Sequence, residues 1–172
     1  MKSQVQLVSK ISDLPGTIEK VAHWKQAGEK VVFTNGCFDI LHQGHVLYLA
    51  AAANLGSKLI LALNTDASVR RLNKGSERPI NPESARAIVM AALGFVDAVV
   101  LFDNDTPFEI IEALQPNVVV KGGDYDPLEM DPTQKTFFVG ALETRKRGGE
   151  SVTIPLVDGF STTAIIEKMR KI

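Results

Sequence analysis

Two histidines three residues apart, His42 and His45, bracket Gly44 in the stretch TNGCFDILHQGHVLYLA. Imidazoles at that spacing can bind a metal, move a proton, donate to a phosphate, or simply pack. The surroundings favour phosphate. His45 falls in the first turn of an alanine- and leucine-rich run that reads as a helix, and Gly44 leaves the backbone open to close approach. A helix start offers unpaired N–H groups and the positive end of the helix dipole. Beside a polyphosphate an imidazole should gain proton affinity over its ordinary value of ~6.5 and become a better donor. Zinc fits less well, because no HExxH pattern or second cysteine completes a ligand set. The single cysteine, Cys37, has no base beside it in sequence and is expected to be a small buried residue.

The elements that must position this pair follow from the apolar runs. KVVFTNG, SKLILALNTD, DAVVLFDND, PNVVVKGGD and SVTIPLV are short β-type segments, most of them ending in polar or glycine residues. Helical segments lie between them. GHVLYLAAAANLG is closed by Gly56; NPESARAIVMAALG has Asn81 as its expected N-cap, Pro82 in first position and Gly94 at its end; TPFEIIEALQP carries a Thr106–Glu109 capping box. Alternating buried strands and helices predict an α/β domain, a Rossmann-like doubly wound parallel sheet of about five strands with helices on both faces. We read residues 1–172 as one domain, with a leading helix within 1–29 that ends at Gly28 and an inserted segment, 125–150, holding a helix of its own before the last strand. In such a fold ligands bind beyond the carboxyl ends of the strands. Thr34 to His45, Asn64 to Asp66, Lys121 to Asp124 and Asp158 to Thr163 should therefore meet on one rim.

Composition excludes several classes of function. A net charge of -1 gives no overall attraction to nucleic acid or an anionic membrane, so an anion site must come from a local cluster. No apolar run reaches the ~18 residues of a membrane-spanning helix, and MKSQVQLVSK is not a signal peptide. A cytoplasmic protein with neither a nucleic acid nor a membrane as partner is the expectation. ETRKRGG is basic but short and without aromatics, which suits a solvated helix face or a lid better than RNA binding.

FDILHQGH resembles the HxGH signature of the nucleotidyltransferase superfamily, and GFSTTAII resembles its second signature, a serine–threonine turn opening the last helix. With RPINP and VVVKGGDY, these stretches are similar, from about Val31 to the end, to the adenylyltransferases of ADP-heptose synthesis. In many bacteria that activity is the C-terminal half of a bifunctional heptose kinase–adenylyltransferase, and this chain looks like the stand-alone form. The resemblance implies transfer of AMP from ATP to D-glycero-β-D-manno-heptose 1-phosphate, by direct in-line displacement with Mg²⁺, in the synthesis of lipopolysaccharide core or surface glycan precursors. It implies catalytic roles on the triphosphate for His42, His45 and Lys74. ATP would also be held by Thr34, Asn35, Gly36, Phe38, Gly44, Lys121, Gly122, Gly123, Asp124, Ser161, Thr162 and Thr163. Asp39, Asn64, Asp66, Arg78 and Arg86 would position the acceptor or the metal, with Mg²⁺ carried mainly by the ATP phosphates rather than by a protein cage. A homodimer through the leading helix and the inserted segment is expected by analogy.

The chemistry accords with these residues. A sugar phosphate is already largely dianionic near neutral pH, its second ionisation lying near ~6, so no strong general base is required and none stands out. Positioning and cationic stabilisation remain as the work to be done. Three other functions compete. A cytidylyltransferase acting on glycerol 3-phosphate would usually carry an arginine in the turn that here reads DGFSTT. A non-catalytic ATP sensor would need fewer of these groups, and an aminoacyl-tRNA synthetase fragment would bring a different lysine-rich signature.

Overall fold

A computed structural model describes residues 2–73, 75, 77–123 and 125–171. The five apolar runs become the strands β1 (Val31–Gly36), β2 (Lys58–Asn64), β3 (Ala98–Phe102), β4 (Val118–Gly122) and β5 (Glu150–Ile154). They form one parallel sheet in the order β3-β2-β1-β4-β5. Thr34 of β1 registers with Leu61 of β2 on one side and with Val120 of β4 on the other. Strand order reverses between β1 and β4, which makes their carboxyl ends the switch point where this architecture binds ligands.

Alternation along the strands builds two cores. Val32, Leu61, Val99 and Val120 face one side, with α3 (Gln43–Ala53) and α5 (Glu83–Ala91) packed over them through Leu49, Ala52, Ala87 and Met90. Val31, Phe33, Ile60 and Val119 face the other, covered by α2 (Leu14–Gln26), α6 (Phe108–Leu114) and α7 (Ala141–Lys146) through Val21, Ile111, Leu114 and Ala141. Each such apolar side chain contributes roughly 1.5–3 kcal/mol on burial, so a sheet covered on both faces needs the near-continuous Val/Ile/Leu runs seen in the sequence. Three further helices, α1 (Lys2–Lys10), α4 (Asp66–Arg71) and α8 (Thr162–Met169), complete the described elements.

Several boundaries differ from expectation, each for a local reason. Residues 1–29 hold two helices rather than one. Asp13 breaks the run by capping α2, its carboxylate accepting from Gly16 N–H at 2.9 Å. Asn81 does not cap α5. Pro82 occupies that position, and the Asn81 amide instead donates to the Asp39 carbonyl at 2.6 Å. The Thr106–Glu109 capping box does not form, since Pro107 takes the cap position and Thr106 accepts only a long bond from Phe108 N–H at 3.4 Å. The short helix α4 was not anticipated. Thr65 caps it by accepting from Ser68 N–H at 3.1 Å. The inserted segment does contain a helix, α7, as its length suggested.

The α3–β2 connection shows how closely this frame is packed. A Cβ on Gly56 would lie 2.4 Å from the Lys30 carbonyl oxygen and 2.6 Å from Val32 Cγ2. Gly56→Ala should therefore cost about 1–3 kcal/mol by overpacking. Urea unfolding would read this as a lower midpoint at unchanged slope. Wild-type stability in that variant would mean the turn is free to move away from β1.

Candidate active site

The loops after the strands open a cleft of about 720 Å³ at the carboxyl edge of the sheet. Asn35, Gly36 and Phe38 reach it from the end of β1, followed by His42, Gly44 and His45 at the start of α3. Asn64 comes from β2, Arg78 from the loop before α5, Lys121 and Gly122 from β4, and Ser161 to Thr163 from the start of α8. Lys74 and Asp124 lie outside the described residues. Thr34, Asp39, Asp66, Arg86 and Gly123 do not line the cleft.

The histidines form a compact pair. Their rings stack with centroids 3.7 Å apart and planes at 19°. His42 is the N-cap of α3, its Nδ1 accepting from His45 N–H at 3.3 Å. Phe38 packs edge-on against His45 at 4.9 Å, from a backbone with φ of 44°. Gly36 makes room for that ring, because a Cβ there would lie 2.7 Å from Phe38 Cε2. Gly44 similarly admits the His42 ring and Phe160, which a Cβ would meet at 3.1 and 3.2 Å. Burial lowers the proton affinity of both rings, and for His45 the adjacent His42 and Arg78 push the same way, to about 4. His45 Nδ1 is buried and has no hydrogen-bond partner among the described residues. Burial thus favours the neutral form of both rings in the free protein, whereas the expected gain in proton affinity presupposes a bound polyphosphate.

Beneath them lies a buried ionic hub. The Asp39 side chain is wholly enclosed and accepts from Ile80 N–H, Asn81 N–H and Arg78 Nε at 2.9, 2.9 and 3.1 Å. Burial works to raise its pKa, yet the two backbone donors and the Arg78 guanidinium outweigh it and hold the carboxyl below its ordinary value. Arg86, only 1% exposed, donates to the carbonyls of Asn81, Cys37 and Asn64 and to the Asp66 carboxylate. These two arginines bind three loops together. Thr34 is likewise internal, its hydroxyl bonded to Tyr48 Oη at 2.6 Å.

On the far rim Lys121 lies over the Tyr125 ring at 5.5 Å. Gly122 and Gly123 face Leu156, whose Cδ atoms would sit 2.7 and 3.2 Å from added Cβ atoms. Ser161 caps α8 by accepting from Ala164 N–H at 3.0 Å, leaving other N–H groups of that first turn for a ligand. Leu156, Phe160, Gln134 and Lys135 also line the cleft, and sequence reasoning missed them. For Phe160 the signal was available, since it directly precedes Ser161 in the serine–threonine turn.

Among the described residues no group of three His, Cys, Asp or Glu side chains could hold a metal ion. The two candidate carboxylates are engaged, Asp39 with Arg78 and Asp66 with Arg86 at 2.8 Å. No helix among the described residues is long and apolar enough to cross a membrane.

The strand order, and a switch-point cleft lined by the starts of α3 and α8, describe a Rossmann-like protein. Residues 33–168 match the family model described as cytidylyltransferase-like. The chain belongs to that family and is a nucleotidyltransferase. It is 49% identical over 160 residues to the bifunctional protein HldE of Magnetococcus marinus, covering 93% of this chain and 31% of that protein. The HldE of Azorhizobium caulinodans is 53% identical over 150 residues, 87% of this chain and 29% of that one. The chain therefore spans less than a third of the length of these relatives. Among solved structures, the lipopolysaccharide core biosynthesis protein from Thermoplasma volcanium aligns with a TM-score of 0.57 at 27% identity, over 76% of this chain and 98% of that one.

Two stability effects follow from the hub and the histidines. Asp39→Ala leaves Arg78 buried without its counter-charge and should cost about 3–5 kcal/mol, read as a shift of the urea midpoint. A shift below 1 kcal/mol would deny the hub its structural role. His45 is depressed on folding, so its contribution is complete above its unfolded value of 6.5 and is lost as pH falls toward about 4. Between pH 7 and 5 the wild type should lose stability that His45→Gln does not. Equal losses in both proteins would place the acid sensitivity elsewhere.

Proposed function

We propose that the protein transfers AMP from ATP to D-glycero-β-D-manno-heptose 1-phosphate, releasing pyrophosphate and forming ADP-heptose. The observation that carries this reading is the His42–His45 pair at the start of α3, sharing one cleft with the start of α8. The likeness to HldE proteins and to a lipopolysaccharide core biosynthesis protein supports heptose as the acceptor sugar. The product would then supply lipopolysaccharide core or surface glycan assembly, from the cytoplasm.

The mechanism follows from the charges. The anionic oxygen of the acceptor phosphate attacks the α-phosphorus of ATP, a new P–O bond forms, and the bond to the β-phosphate oxygen breaks with its electron pair leaving on pyrophosphate. No proton need be removed from the nucleophile. In this reading His42 and His45 donate to the triphosphate, and a phosphate against the rings opposes the depression of their proton affinity. The free N–H groups at the start of α8 receive the β- and γ-phosphates. Mg²⁺ bound with ATP would supply charge neutralisation. Among the described residues Asp39 and Asp66 are paired with Arg78 and Arg86, so in this reading the ATP phosphates would carry most of the metal's ligands.

Pyrophosphate release tests the reading, with ATP and CTP each paired in turn with the heptose 1-phosphate and with glycerol 3-phosphate. Release with ATP and the heptose alone is expected. Release with CTP and glycerol 3-phosphate would keep the chemistry and change the substrates, while ATP binding without release from any pair would point to a sensor. His42→Ala and His45→Ala should each lower turnover by roughly two to three orders of magnitude, corresponding to ~3–4 kcal/mol for a lost transition-state donor. Near wild-type turnover in either variant would remove that histidine from the chemistry.

A further inference from the structure

The inserted segment before β5 has no part in the mechanism so far, yet it forms a wall of the cleft. Pro132, Gln134, Lys135, Phe137 and Val139 line it, beside the Asp105–Pro107 loop. This wall comes from the opposite side of the sheet to the histidines. α3 packs on one core, whereas Phe138, 2% exposed, is embedded in the other.

The segment is held as a fixed turn. Asp126 N–H donates to the Thr136 carbonyl at 2.8 Å, and Phe137 N–H donates to the Gln134 carbonyl at 3.1 Å. The Asp131 carboxylate accepts from Thr133 N–H at 2.9 Å and from the Gln134 amide at 3.2 Å. Gly140, at φ 83°, lets the chain pass against Ile111, which a Cβ would approach to 2.7 Å. On this turn the Lys135 ammonium makes no ion pair or hydrogen bond among the described residues, three positions from the Phe138 anchor. The Gln134 side-chain oxygen is equally unengaged among them.

In-line displacement decides what an unpaired cation there can do. If the triphosphate lies along α3 and α8, as the proposed function has it, the attacking oxygen must arrive on the side of the α-phosphorus away from pyrophosphate. Two anions meet at that point, and the acceptor needs a counter-charge on its own side. We propose that the 132–139 segment is the acceptor-recognising wall of the cleft, with Lys135 contacting the acceptor's phosphate and Gln134 its hydroxyl groups. Phe137 and Val139 offer the apolar surface on which the C–H face of a sugar can lie. This inference rests on the nucleotidyltransferase reading of the cleft but not on which sugar phosphate is used.

Calorimetric titration separates the two. Heptose 1-phosphate and glycerol 3-phosphate are each titrated into the full chain saturated with Mg²⁺ and α,β-methylene ATP, for wild type, Lys135→Ala and Lys135→Arg. Lys135→Ala should bind the acceptor about tenfold or more weakly, the loss of one charge-assisted hydrogen bond. Its affinity for the ATP analogue should stay within about twofold, because the triphosphate is held elsewhere. Lys135→Arg should recover most of the loss, which mere repacking of the turn would not predict. In turnover the same change should appear in the acceptor KM and not in the ATP KM. Unaltered acceptor binding in Lys135→Ala, or an equal loss for the ATP analogue, overturns the proposal while leaving the heptose reading intact. Tight wild-type binding of glycerol 3-phosphate alone, lost in Lys135→Ala, would overturn the heptose reading and support the wall. Failure of both phosphates to bind the wild type would overturn the wall itself.

Discussion

The enclosed carboxylate of Asp39 is the constraint on which the site depends. A buried anion without partners costs several kcal/mol, so the chain can bury this one only by bringing donors to it. It recruits Ile80, Asn81 and Arg78, drawing the loop before α5 over the end of β1. Arg86 then ties the same loop to Cys37 and to the end of β2. The positions of Phe38, and hence of the His45 ring packed against it, are inherited from that knot. Residues that look like ligand contacts in a motif are here the fasteners that give the contacting residues their places.

The same pairing shapes the electrostatics. The chain as a whole carries a net charge of -1, and the acidic groups around its cleft are paired. Asp66 is neutralised by Arg86, and Asp105 by Arg71 at 2.8 Å. The exposed Arg71 pair adds little to stability. Its effect is to remove a negative charge from the rim. Lys135 and the starts of α3 and α8 line the same cleft. Pairing each of these acidic groups with an arginine, rather than omitting them, lets a protein of net charge -1 keep unpaired carboxylates away from this space.

How much of this was legible in the sequence depended on the range of the interaction. The strands were, because continuous apolar runs such as KLILALN fit little except a sheet buried on both faces. The convergence of loops followed from the rule for parallel sheets, and the serine–threonine turn announced a cap at Ser161 or Thr162, of which Ser161 takes the position. Contacts decided far along the chain were hidden. Asn81 has a good capping side chain, but a partner 42 positions away outbid the helix for it. Arg86, expected to position the acceptor or the metal, is among the most buried side chains and is satisfied by carbonyls no pattern predicts. The wall at 132–139 was invisible for another reason. It is an irregular turn without periodicity, and its placement comes from one buried phenylalanine.

One ring in this structure serves two masters. Because His42 Nδ1 accepts from His45 N–H, its single proton must reside on Nε2 while α3 is capped. The tautomer is therefore imposed by the helix, and the donor edge is selected before any ligand arrives. A second proton, drawn on by a highly charged ligand, would occupy Nδ1 and turn the cap into a repulsive contact between two N–H groups. The first turn of α3 would then have to loosen or find another acceptor. Charge on a ligand and fraying of a helix would in this way be linked through one imidazole, so a ring that met a polyanion would also record its departure in the order of the backbone behind it.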